Sequence, residues 1–216
     1  MTVQASATWY VRAGGDEANG GGFDPEIVGA GTKALATLEP GDRLDIFGPL
    51  GEGFKLDDGC KHVLMVARGV GLATLAPLAE MAAERGVRVS AILSARSPEY
   101  MMSEDYLRSV GASVLTVTDA EGTSDVEDVE RLTRGIVETE GVDLLATCGS
   151  NRLLLMLQRL AREYRIAGQV ALEQLMGCGI GMCFTCVLPF RTTDGLAYKR
   201  VCKEGPVFPI EEALSW

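Results

Sequence analysis

Four cysteines near the end of the chain constrain it more than any other feature. The run Cys178-Gly-Ile-Gly-Met-Cys183-Phe-Thr-Cys186 is followed, after fifteen further residues, by Cys202. C-x4-C-x2-C with a distant fourth cysteine is the plant-type spacing for a [2Fe-2S] cluster held by four thiolates. Gly177, Gly179 and Gly181 suit a loop that wraps such a group. Lacking a Cβ, they admit positive φ and let backbone N–H groups approach sulfide closely.

Two other chemistries use cysteine, and both fit less well. A structural zinc site more often pairs C-x2-C knuckles with histidine among the ligands. Here one half is C-x4-C, and the single histidine, His62, is remote in sequence. A disulfide framework belongs to an oxidising compartment. The opening residues Met-Thr-Val-Gln-Ala-Ser have neither the basic nor the apolar segment of a secretory signal, so a cytoplasmic protein with reduced thiols is expected. Cys178, Cys183, Cys186 and Cys202 are therefore the candidate metal ligands, leaving Cys60 as a surface or linker thiol and Cys148 to be placed.

Composition narrows the partners. A formal charge of -10 argues against nucleic acid and against an anionic membrane surface. No apolar run is long enough to span a bilayer. With 216 residues, 47% of them hydrophobic, the chain can bury a proper core in one or two domains with a small further module.

Read in order, residues 1–56 suggest β structure broken by Gly-rich connections. Strand candidates are Thr8–Arg12, Pro25–Val28 and Leu44–Phe47, with a short helix over 33–38 and a strong turn at Glu39-Pro40-Gly41-Asp42. From about residue 57 the texture changes. His62–Ala67 is a continuous apolar run, as in a strand buried on both faces. Strands are predicted at 87–93, 113–117 and 143–147, with an edge strand at 170–172. Helices are predicted at 72–85, 98–109, 126–138 and 152–164. Repeated βα units imply a doubly wound parallel sheet, whose ligands bind at the carboxyl ends of the strands. The last segment, 173–216, reads as a cluster module in which a hairpin, turning at Thr193-Asp194-Gly195, returns Cys202 to the other three cysteines. The expected architecture is thus multidomain, α/β and β: a partial N-terminal β-barrel (1–56), a nucleotide-binding α/β domain (57–172) and a [2Fe-2S] module (173–216).

Three groups of motifs then resemble one family. Glu173-x-x-Met176-x-Cys178 through Cys186, with Arg200-Val201-Cys202-Lys203-x-Gly205-Pro206-Val207-Phe208, is similar to the C-terminus of the electron-transfer subunit of class 1B dihydroorotate dehydrogenase. Gly29-x-Gly31-Thr32, Leu38-x-Pro40-Gly41-Asp42 and Gly48-Pro49-Leu50-Gly51-x-Gly53-Phe54 resemble the end of its flavin domain. The middle looks like the nicotinamide domain of the ferredoxin reductase superfamily. The resemblance implies an oxidoreductase subunit relaying electrons between NAD or NADP, FAD and the cluster, to or from a flavin-containing catalytic partner in a hetero-oligomer. The flavin domain would be shortened, because the family's Arg-Pro-x-Ser flavin motif has no counterpart. A flavin-free, cluster-bearing adaptor with a vestigial nucleotide site is the alternative.

The resemblance also assigns residues beyond the cysteines. Gly29, Gly31 and Thr32 would meet a flavin; the plainer reading is a helix-starting turn with Thr32 as its cap. Gly69-x-Gly71, between a strand and a helix, would face a pyrophosphate, although it lacks the third glycine of the dinucleotide fingerprint and reads otherwise as a packed βα turn. Arg96, after the second strand, would meet a 2′-phosphate or cover an adenine. Cys148 and Gly149 would lie near a nicotinamide, or Cys148 is simply a small buried thiol. Met176 and Met182 are expected to shield the cluster loop. Phe184, Val207 and Phe208 form either a docking surface or the module's core.

Overall fold

The computed structural model describes residues 34–39, 41–44 and 47–215. The chain divides into two compact units, Met1–Ile46 and Phe47–Trp216. Of the first unit, a turn of helix covers residues 34–36. The expected turn forms beside it, with the Asp42 N–H donating to the Glu39 carbonyl at 3.0 Å and the Asp42 carboxylate accepting the Glu39 N–H at 2.8 Å. Gly29, Gly31, Thr32 and the strand candidates 8–12 and 25–28 lie outside the described residues.

The second unit is built on alternating strands and helices: β1 (His62–Arg68), α1 (Gly71–Glu84), β2 (Arg88–Ala95), α2 (Glu104–Ser109), β3 (Ser113–Thr118), α3 (Val126–Glu140), β4 (Leu144–Cys148), α4 (Asn151–Tyr164) and β5 (Ala167–Ala171). A hairpin, β6 (Val187–Thr192) and β7 (Gly195–Arg200), and a short β8 (Val207–Pro209) follow. The main sheet runs β3-β2-β1-β4-β5-β8, parallel except for its last pair. The hairpin is a separate two-stranded sheet.

β1 is central because its residues are apolar on both faces. Val63, Met65 and Ala67 enter one core with Leu72, Leu75 and Leu78 of α1 and Leu107 of α2. Leu64 and Val66 enter the other, with Val129, Ile136 and Val137 of α3 and Leu153, Leu157 and Leu160 of α4. Helices therefore cover both sides of the sheet, and the chain reverses its winding between β1 and β4. In α3 the buried Val129, Thr133, Ile136 and Val137 fall on one stripe of helical period. Arg134 on the same helix pairs with Glu163 of α4, at 2.6 and 2.7 Å, and so fixes the two helices side by side.

The structure departs from the sequence reading in two places. The helix expected over 98–109 is split: a 3-10 turn spans Pro98–Tyr100 and α2 begins only at Glu104, because Ser103 adopts a left-handed φ of 62°. The sheet also does not end at β5. The chain comes back after Cys202 and adds β8 antiparallel to it, Val170 opposite Phe208. Phe208 is only 2% exposed and meets Phe190 with ring centroids 4.3 Å apart. Burying such a ring is worth about 1.5–3 kcal/mol, which explains why this end of the chain joins the core rather than forming a surface. Among the described residues no helix is long and apolar enough to cross a membrane.

Candidate functional site

The cluster loop leaves the carboxyl end of β5. Leu172 is anchored there, its N–H donating to the Pro206 carbonyl at 2.9 Å. The four candidate cysteines then fall into two pairs. The Cys183 N–H donates to the Cys178 Sγ at 3.4 Å, and these two thiols also bond each other. The Cys202 N–H donates to the Cys186 Sγ at 3.4 Å, and those two thiols are likewise bonded. Among the described residues, no three Cys, His, Asp or Glu side chains are grouped to hold a single metal ion. A two-iron cluster asks for two thiolates on each iron, and two pairs fit that demand.

The pairs differ in setting. Cys186 and Cys202 are buried and share a core with Phe190, Val201 and Phe208. Cys183 is exposed and Cys178 half-buried. Backbone N–H groups of Cys183 and Ile180, the Cys183 thiol and the Met182 N–H (3.3 Å from Sγ) hold the Cys178 pKa down to about 6. The hydroxyl and N–H of Thr185 lower that of Cys183. The neighbouring Cys186 thiol, then burial, raise that of Cys202. Since the thiolate is the metal-binding form, the outer pair is already biased toward it. The same N–H groups would face cluster sulfur, where such donors tune the metal.

Packing around the loop is tight. Gly181 has a φ of 78°, and a Cβ there would lie 2.8 Å from the Lys203 Cδ. Gly179 faces Leu50, and Glu52 exchanges backbone bonds with Gly205 and Val207. The Gly48–Phe54 motif is thus stitched to the turn that follows Cys202. Met176 and Met182 are 58% and 74% exposed, and the Met176 sulfur lies beside Gly179 of the loop. Phe184 is exposed, Val207 half-buried, and Phe208 belongs to the core. Arg200, named above only as part of the motif around Cys202, reaches the loop, and Glu204 holds it from the other side of that ligand; their spacing of four was the available signal.

A second arrangement lies at the carboxyl ends of β1 and β4, where the sheet reverses its winding and open α/β sheets form their crevice. Gly69 turns the chain out of β1, its N–H donating to the Ser94 carbonyl at 3.0 Å. Gly71 begins α1, and a Cβ on it would lie 2.8 Å from the Cys148 carbonyl carbon. The lost side chain therefore lets the helix start press on the end of β4. Gly149 rests against the Arg68 carbonyl. The structure thus brings Gly69, Gly71, Cys148 and Gly149 together. Arg96 follows the neighbouring β2, exposed, its carbonyl accepting the Ala120 N–H at 2.8 Å. Burial raises the Cys148 pKa, and its thiol bonds the Thr74 hydroxyl. It is a neutral group, not a poised nucleophile.

The Arg68 side chain turns the other way from β4, toward β2 and β3. Its guanidinium grips the Asp119 carboxylate at 2.5 and 3.1 Å and donates to the Ser94 hydroxyl at 2.8 Å, spanning the ends of β1, β2 and β3. This bidentate bond, with the Ser124 hydroxyl, holds the Asp119 pKa below the usual carboxylate range.

Residues 173–214 match the family described as the iron-sulfur cluster binding domain of dihydroorotate dehydrogenase B. The electron transfer subunit of dihydroorotate dehydrogenase B (NAD(+)) from Bacillus cereus (strain B4264) is 36% identical over 193 residues, covering 86% of this chain and 71% of that protein. The corresponding subunit from Bacillus anthracis (strain CDC 684 / NRRL 3495) gives the same identity and coverage. A solved structure of an NADH-dependent reduced ferredoxin-NADP oxidoreductase, studied for flavin-based electron bifurcation, superposes with a TM-score of 0.68 at 29% identity, over 88% of this chain and 67% of that one.

Proposed function

Because the chain belongs to the family of dihydroorotate dehydrogenase B electron transfer subunits, we propose that it relays electrons between NAD(P)(H), FAD and a [2Fe-2S] cluster, to or from a flavin-containing catalytic partner. One observation carries this reading. The loop with its two thiol pairs springs from the same carboxyl edge of the sheet as the β1–β4 crevice, so a one-electron and a two-electron carrier would share one face of the chain.

Cys178 and Cys183 would hold one iron and Cys186 and Cys202 the other, with N–H groups of the loop neutralising sulfide charge. The Gly69–Gly71 turn and the start of α1 would receive the pyrophosphate, where helix-end N–H groups favour an anion. Gly149 and the neutral Cys148 would border the nicotinamide without ionising beside it. Arg96 stands after β2, where an adenosine ribose or its phosphate would lie. Gly29, Gly31 and Thr32, in a partial N-terminal β domain, would contact the flavin. When bound, a flavin trades two electrons with nicotinamide and single electrons with a cluster, which is why the three cofactors belong together. The stitch between Glu52 and the turn after Cys202 would tie the end of the flavin domain to the cluster loop.

Anaerobically purified chain tests this. Iron and acid-labile sulfide at about two each per chain are expected, with flavin absorption near ~450 nm that bleaches on adding NADH, followed by the cluster bands. Iron and sulfide without flavin, and no response to NADH or NADPH, would leave the flavin-free adaptor instead. Absence of both iron and sulfide would end the proposal.

A further inference from the structure

Arg200 ends β7 two residues before Cys202, and its side chain touches the cluster loop at two places and Glu204 at a third. Its Nη1 donates to the Gly181 carbonyl at 2.8 Å, between Cys178 and Cys183. The guanidinium lies over the Phe184 ring, 5.3 Å from the centroid, between Cys183 and Cys186. Its Nε donates to the Glu204 carboxylate at 3.0 and 3.1 Å, and Nη2 completes the fork. Glu204 in turn accepts the Arg200 N–H at 2.7 Å, while the Glu204 N–H donates to the Arg200 carbonyl at 2.9 Å. The turn bearing Cys202 is thereby closed around the ligand. Every gap between successive cysteines of the C-x4-C-x2-C run is held by this one side chain.

The charge matters as well as the grip. The Arg200 side chain is 24% exposed, so solvent and salt screen it only in part. It lies within electrostatic reach of the Cys202 and Cys186 sulfurs. A guanidinium stays protonated at any working pH, so it is a fixed positive charge beside a group that gains negative charge on reduction. Glu204 is the matching negative charge on the far side of the fork.

Resting on the cluster reading above, we propose that Arg200 is a positioning residue that clasps the cluster loop and raises the reduction potential of the cluster, with Glu204 as its opposing control. One electron enters the cluster and one unit of negative charge is added; no proton or leaving group is involved. Arg200 favours that state and Glu204 disfavours it.

The test is a redox titration of the whole chain followed by electron paramagnetic resonance. Arg200→Gln should make the cluster harder to reduce by about tenfold in the reduced-to-oxidised ratio at fixed ambient potential, or about 59 mV for one electron. Glu204→Gln should shift it the opposite way, and Arg200→Lys, which keeps the charge, should stay near the parent. Opposite signs separate an electrostatic role from loosened packing, which would move all three variants alike. Should Arg200→Gln fail to retain its cluster, the other two still decide: an upward shift in Glu204→Gln with an unshifted Arg200→Lys supports the proposal. An unmoved Glu204→Gln, or equal shifts in both arginine variants, overturns it. Parent protein without iron would sink the cluster reading instead, a result readable before any variant is made.

Discussion

The cluster loop and the β1–β4 crevice sit on one edge of the same sheet but are held by different physics. The loop, about residues 173–186 with Cys202, has little core of its own. Leu175, Met176, Ile180, Met182 and Phe184 face outward. It is shaped by N–H donors onto sulfur, by the Arg200–Glu204 fork, and by backbone stitches from Glu52 and Leu172 to residues 205–207 just after Cys202. The crevice is shaped by what lies beneath it: buried strands on either side and a helix start pressed onto β4 through Gly71. A site made of ligands and local hydrogen bonds is written in side-chain identity and spacing. A site made of topology is written in long apolar runs and in where a Cβ is missing.

That contrast should survive mutation, and its sharpest test is to remove one ligand from each description. Cys202→Ala takes a thiol from the inner pair while deleting only a sulfur from the core. It should strip nearly all iron from the protein yet leave the sheet folded, because β1 to β5 do not depend on that side chain. Metal analysis beside far-ultraviolet circular dichroism reads both. Collapse of the sheet along with the iron would show that the loop and the sheet are one structural element and erase the distinction.

Gly71→Val is the converse experiment, with a smaller effect. A branched side chain there meets the Cys148 carbonyl and must push α1 off β4. Overpacking of this kind costs about 1–3 kcal/mol, or several degrees in Tm at roughly 2–4 °C per kcal/mol for a chain of this size. NADH affinity should fall as the turn is displaced, while iron content stays at the parent level. Isothermal titration and iron assay on the same preparation would show it; undiminished binding of NADH would remove Gly71 from the site.

How much of each region could be read from the chain follows the same division. Cys178, Cys183, Cys186 and Cys202 were legible as a set because C-x4-C-x2-C specifies its chemistry locally. The βα rhythm was legible because His62–Ala67 is apolar on both faces and α3 repeats at helical period. Ser103 was not: nothing in Met-Met-Ser-Glu announces a left-handed φ, so one helix was expected where two short pieces form. β8 was not, since three residues, Val207–Pro209, carry no strand pattern and join the sheet only through pairing with β5. The bridge made by Arg68 was not legible either, because its partners, Ser94 and Asp119, lie 26 and 51 residues away in the chain.

The smallest effect concerns acid, and it too should divide the two regions. His62 lies buried at the amino end of β1, under the crevice half of the sheet. Its Nδ1 is 2.6 Å from the Gly141 carbonyl and 3.0 Å from the Arg88 guanidinium, and its Nε2 is 2.9 Å from the Ser90 hydroxyl. The charged neighbours are Arg88, Glu140 and Asp143. Burial, the largest cause, sets the His62 pKa below its ordinary 6.5, and Arg88 works in the same direction against the Gly141 carbonyl and the two carboxylates. The unfolded chain then takes up the proton first as pH falls. Stability from neutral His62 is complete above about pH 6.5 and is lost progressively below it. Tm measured from pH 8 to pH 5 should decline across that window, and His62→Gln, which keeps hydrogen-bonding capacity without a titrating ring, should flatten the decline. Hydrogen-exchange protection, taken relative to the intrinsic rate at each pH, should fall first in β1 and β2, with amides of residues 178–186 following later, because no histidine holds the cluster loop. Simultaneous loss of protection in both places would mean that the buried imidazole supports the whole unit rather than the sheet beneath the crevice.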